Sequence, residues 1–75
     1  MGNTFTLDSM RPVWEFDKAA SVSIELALDG EPLFIVDSPR YAIYANFIGR
    51  WEATTLAAAA EQARIGIARV IKRLV

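Results

Sequence analysis

SPRYAIYANFIGRW, residues 38–51, supports two opposed readings, and the fold depends on which one holds. Ser38 followed by Pro39 is a helix start, because proline fits the first helical position. Tyr41, Tyr44, Ile48 and Trp51 also fall three to four residues apart. Against this, Tyr41, Ile43, Ala45 and Phe47 alternate with Ala42, Tyr44, Asn46 and Ile48. Aromatic and β-branched residues favour a sheet, and Asn46 and Gly49 are poor helix-interior residues. The balance predicts a third strand over this stretch, ended or bulged by Gly49. The helical alternative would give a ββαα domain.

Upstream, SVSIELAL (21–28) has the two-residue period of a half-buried strand, with Val22, Ile24, Leu26 and Leu28 on one face. Asp29–Gly30 predicts a tight hairpin turn of type I′, which needs positive φ at both positions. LFIV (33–36) is apolar on both faces and is expected to be the central strand. Pro32, lacking an N–H, fits only at its start. DSPR (37–40) reads as the turn that ends it. Closer to the N-terminus, VWEF (13–16) and Phe5 with Leu7 read as short strands.

Downstream, Leu56, Ala60, Ala63, Ile67, Val70 or Ile71, and Leu74 recur at steps of three and four. That stripe predicts an amphipathic helix of about five turns. Thr54 or Thr55 is its expected N-cap, and Arg69, Lys72 and Arg73 sit where the helix dipole favours cations. Gly66 lies beside Ala59 and Ala63, so the helix can approach a neighbour closely there. The expected fold is α+β: one domain, residues 1–75, with a small antiparallel three- to four-stranded sheet packed against one long C-terminal helix, βββα-like. Leu56, Ala63, Ile67 and Leu74 are expected to face Ile24, Leu26 and Ile35.

This element order, closed by TTLAAAAEQA (54–63), resembles the βββα module of HicB-type antitoxins, in which a Thr-Leu-x-x-Ala start opens the helix. The likeness runs from about Val22 to Ala63. The loop between the second and third strands departs from that family's aspartate-leucine-proline pattern. The resemblance implies a toxin-blocking role.

The composition narrows the chemistry. The chain has no cysteine and no histidine. Disulfides, thiolate metal sites and imidazole-based triads are therefore excluded. Lys18 and Lys72 are the only side-chain amines available as bases, and both are expected to be solvated. Asp8, Glu15 and Asp17 are close in sequence, but no pattern sets them in a cleft. No phosphate-binding or cation-binding loop motif is present. No enzyme activity, cofactor or metal is expected. No stretch reaches the roughly 18 apolar residues of a membrane span, and MGNTFTLDSMRP (1–12) lacks the basic and apolar regions of a secretory signal. The expected location is cytoplasmic, in a bacterial cell or an infected host.

Partner binding is the expected function. Residues 1–37 hold seven acids and two bases, and residues 38–75 hold six bases and two acids, so −5 faces +4. Such a split favours polar recognition or self-association. Hydrophobic residues make up 53% of a chain with little interior, and one helix covers only one face of a sheet. The expectation is a non-catalytic protein-binding module, a stoichiometric inhibitor or regulator of phage or bacterial type, with homodimerisation in view. Its candidate partner-binding residues are Arg40, Tyr41, Tyr44, Arg50, Trp51, Ile65 and Arg69. The alternative is nucleic-acid binding by the 40–51 stretch and the basic helix end, a stacking-plus-phosphate set. A pI near 5.2 weighs against it.

Overall fold

The computed structural model describes residues 8–43 and 48–74. The strand expected at Phe5 and Leu7 lies outside them. A short 3-10 turn, Asp8–Met10, leads into helix α1, Arg11–Phe16. Strands β1, Ser21–Leu26, and β2, Pro32–Asp37, follow; then come helix α2, Pro39–Ile43, strand β3, Arg50–Ala53, and helix α3, Leu56–Leu74. The sheet is antiparallel in the order β1-β2-β3, with α3 packed on one face, so the expected α+β architecture is present.

The hairpin joining β1 to β2 turns where Asp29–Gly30 predicts, by a different route. Gly30 N–H donates to Ala27 C=O at 2.9 Å, Ala27 N–H donates to Glu31 C=O at 3.0 Å, and Gly30 has φ +84°. This is a three-residue loop of Leu28, Asp29 and Gly30, with glycine alone taking the left-handed position. Asp29 Oδ1 accepts from Glu31 N–H at 3.0 Å and fixes the loop.

Two elements differ from the sequence expectation. Residues 13–16 are helical, not extended. Pro12 presets φ in the first turn. Met10, Val13 and Asp17, at helical spacing, are the residues that turn inward. Residues 39–43 form α2 and not a strand; the third strand starts only at Arg50. The N–H groups of Tyr41 and Ala42 donate to Ser38 C=O, and the Arg40 N–H donates to the Asp17 carboxylate. The helix start is thus satisfied from outside its own sequence. Gly49 lies at a close approach rather than a strand end: a Cβ there would meet Ser38 O at 2.5 Å and the Ala42 Cβ at 2.8 Å.

α3 starts where the sequence indicates. Thr55 Oγ1 accepts from Ala58 N–H at 3.2 Å, the N-cap bond that satisfies an orphan donor. Ala59, Ala60, Ala63, Ile67 and Val70 are its buried stripe. They form one core with Val36 of β2, Tyr41 of α2, and Met10 and Val13 of the N-terminal turn and helix. Trp14, Phe16, Val22, Phe34, Trp51 and Ala53 pack around it.

The register then corrects the expected core. It puts Val22, Ile24 and Leu26 on the α3 side of the sheet together with Phe34, Val36, Trp51 and Ala53. Ile35 is fully buried, but on the opposite side, between Ser23 and Glu52. Ile24 and Leu26 are 50% and 80% exposed, and Leu74 is 51% exposed. The cause is width. A helix about 10 Å across covers about two strands spaced ~4.8 Å apart. α3 lies over β3 and β2, α1 packs beside α3, and β1 is left beyond the helix.

Candidate functional site

The candidate site is the apolar side of the β1–β2 hairpin. Fully exposed Leu28 stands in the loop at the hairpin's end, and Ile24 and Leu26 are exposed on this side beside exposed Pro32 and half-buried Phe34. Strand pairing holds them in one surface, since Ile24 lies opposite Phe34 and Leu26 opposite Pro32. Large apolar side chains standing singly on a surface are ordinary, whereas a contiguous group is not.

The other side of the sheet is polar. Arg50 of β3 reaches all three strands: its Nε donates to Glu52 at 2.8 Å, and its guanidinium lies 3.5 Å from Asp37 and 3.6 Å from Glu25. The hydrogen bond Arg50 donates to Glu52 holds the Arg50 pKa above its ordinary value; desolvation opposes this, and the charges of Asp37, Glu52 and Glu25 add to it. The apolar surplus expected on this side reduces to Leu33 and buried Ile35, because β3 contributes Arg50 and Glu52 there. At one end a shallow depression of about 370 Å³ is lined by Ser21, Asp37, Ser38, Ala42 and Arg50, among others. Among the described residues, no group of three or more acids forms a site that could hold a metal.

The residues singled out from sequence do not converge on one surface. Tyr41 is a core residue, 4% exposed, not a surface contact; its hydroxyl donates to Phe16 C=O at 3.3 Å. The helical turn of α2 swings its ring inward, where a strand could have presented it. Arg40 sits beside it, its guanidinium donating to the same carbonyl at 3.2 Å and lying 5.6 Å from the Tyr41 ring centroid. Arg50 and Trp51 are neighbours on β3, so they point to opposite sides of the sheet. Trp51 lies against Gly66 of α3, and Arg50 is held in the ion pairs above. Ile65, 38% exposed, and exposed Arg69 share the outer surface of α3. Tyr44 lies outside the described residues.

The sequence reading sets Ile24 and Leu26 against the helix, in the core. Their alternation identifies a face and not what covers it. The available signal was arithmetic: three strands under one helix leave one strand over.

Among the described residues, no helix is long and apolar enough to cross a membrane. Comparison of the chain with protein-family models, curated proteins and solved structures gives no match.

Proposed function

We propose that this chain is a non-catalytic protein-binding module that docks through the apolar side of its β1–β2 hairpin, acting as a stoichiometric inhibitor or regulator of the protein it binds. The observation that carries this is the contiguous exposure of Ile24 and Leu26 beside Phe34 and Pro32, with fully exposed Leu28 in the adjoining loop. Burying such side chains is worth about 1.5–3 kcal/mol each, which gives a partner a strong reason to cover them. Exposed Asp29 and Glu31 stand at the hairpin end of this surface, in an N-terminal half that is acidic throughout, so the partner's rim is expected to be basic. The nucleic-acid alternative has less to draw on, because Arg40 and Arg50 are engaged within the chain.

The test is site-resolved photo-crosslinking in the native host. A photoreactive residue at position 28 should give discrete protein adducts, and one at position 69 on the outer side of α3 should not. Adducts at 69 alone would remove the hairpin from the interface. Nucleic-acid adducts at 69 would favour the alternative.

A further inference from the structure

We propose that a second copy of this chain pairs antiparallel with β1, Ile24 opposite Ile24 of the second copy, to make one six-stranded sheet. It rests on the docking reading in one respect: pairing would join the two apolar hairpin surfaces into a single site that neither copy completes alone.

The first support is the backbone. Ala27 bonds to Glu31 across the hairpin, and Ser38 N–H donates to Gly49 C=O on the other side of β2. In an antiparallel ladder, bonding alternates along a strand. With the observed register, both bonds give the same parity: Ser21, Ser23 and Glu25 point their N–H and C=O groups at β2, and Val22, Ile24 and Leu26 point theirs outward. Among the described residues none of those outward groups has a partner.

The second support is the contrast between edges. β3, the other edge, is four residues long and carries Arg50 and Glu52. Short charged edges resist pairing. β1 is six residues long, with one charge and no proline or bulge.

The third support is that one register alone fits. Ile24 at the two-fold sets Val22 opposite Leu26 of the second copy, using every outward group in about six new hydrogen bonds. It also sets Ser23 opposite Glu25 of the second copy, a neutral donor against a carboxylate. A shift in one direction would set Glu25 against Glu25, a repulsive pair. A shift in the other direction would set Leu26 against Ala20, whose N–H and C=O are already bonded to Asp17 and Trp14. On the helix side the chosen register brings Val22, Ile24 and Leu26 of both copies together.

The experiment is sedimentation of the full chain from micromolar to millimolar concentration. Wild type should dimerise. Ser23→Glu, a change on the exposed polar side, should weaken the dimer on the order of tenfold through two symmetric like-charge pairs, and Ser23→Lys should not weaken it. Ile24→Pro removes an outward N–H that the β1–β2 ladder does not use, so it should give a folded monomer. The chain has no cysteine, so single-cysteine variants are clean probes. Ile24→Cys should couple to itself through a short bis-maleimide. Leu26→Cys should not, since the two copies would be ~13 Å apart, four residues at ~3.3 Å. A wild-type monomer throughout would overturn the pairing. So would a dimer indifferent to Ser23→Glu that couples best through position 26, which would mean face-to-face packing. If wild type is monomeric while position 28 still crosslinks to a different protein, the docking reading stands and the pairing falls. If the dimer forms as specified but position 28 gives no adduct, the reverse holds.

Discussion

Trp51 lies against Gly66, so close that a Cβ on Gly66 would meet the indole Nε1 at 2.5 Å and Cε2 and Cζ2 at 2.8 Å. One residue is on β3 and the other is ten positions into α3. The contact therefore sets how closely the helix approaches the sheet. It also explains a glycine inside an otherwise strong helix, where it costs about 1 kcal/mol against alanine.

Gly66→Ala should therefore destabilise the chain despite its gain in helix propensity. Overpacking of this kind costs about 1–3 kcal/mol. In a Trp51→Ala background the same substitution should stabilise, because the clash is gone and only the propensity remains. Urea unfolding of the four proteins in this cycle measures the sign change. The same sign in both backgrounds would separate the two residues energetically.

Asp17 ties two helices together and should be the most sensitive polar residue. It is 3% exposed, accepts from the buried Ser38 hydroxyl, and accepts from Ala19 N–H at 3.0 Å and Arg40 N–H at 3.3 Å. In return, Phe16 C=O at the end of α1 accepts from Arg40 and Tyr41 of α2. Asp17→Ala should cost about 2–4 kcal/mol, since it strands a buried hydroxyl and an N–H. Asp17→Ala with Ser38→Ala should cost less than the sum of the two single changes. Thermal denaturation of the four proteins gives the coupling.

The Asp17 connection marks where sequence reasoning stops. α3 was legible from its three-to-four periodicity and Thr55. The β1–β2 hairpin was legible from alternation and Asp29–Gly30, and the close approach at Gly66 from its small neighbours. Each of these signals is local. The form taken by Pro39–Ile43 is not, because the acceptor that secures its start lies 23 residues upstream of Arg40. The helix at 13–16 was hidden by its length, as its period shows only when Met10 and Asp17 are included. The candidate surface was missed for a third reason. Periodicity assigned Ile24 and Leu26 to the correct face, and only the width of one helix over three strands leaves that part of the face uncovered.

Glu61 and Arg64 should make stability fall in acid. On exposed α3, Arg64 Nη2 lies 2.6 Å and Nε 3.1 Å from the Glu61 carboxylate. That hydrogen bonding lowers the Glu61 pKa below its ordinary 4.5; desolvation opposes this and the Arg64 charge adds to it, and the same contact raises the pKa of Arg64. A carboxylate with a depressed folded-state pKa contributes stability that is present above its unfolded value and lost as pH falls through the folded value. The loss should begin below about pH 4.5. Glu61→Gln should flatten that part of the stability profile. Carboxyl NMR titration should give Glu61 a value below 4.5 that returns toward it in Arg64→Ala; no return would assign the shift elsewhere.

The sharpest stability contrast should fall between three isoleucines that the sequence treats alike. Ile67 is fully buried in the main core on α3. Ile35 is fully buried on the opposite side of the sheet. Ile24 is half exposed on β1. Truncating a buried isoleucine to alanine costs about 2–5 kcal/mol, because transfer free energy is lost and a cavity is left. Ile67→Ala and Ile35→Ala should fall in that range, a large part of what so small a domain has. Ile24→Ala should cost about 0.5 kcal/mol or less in a dilute, monomeric sample, as a surface change does. At concentrations where copies pair, it should cost more, because the side chain then lies at the centre of the joined surface. Urea midpoints for the three variants, each at low and high protein concentration, separate these effects. A cost for Ile24→Ala in dilute solution equal to that of Ile67→Ala would return Ile24 to the core, and the exposed hairpin surface would no longer stand as a docking site.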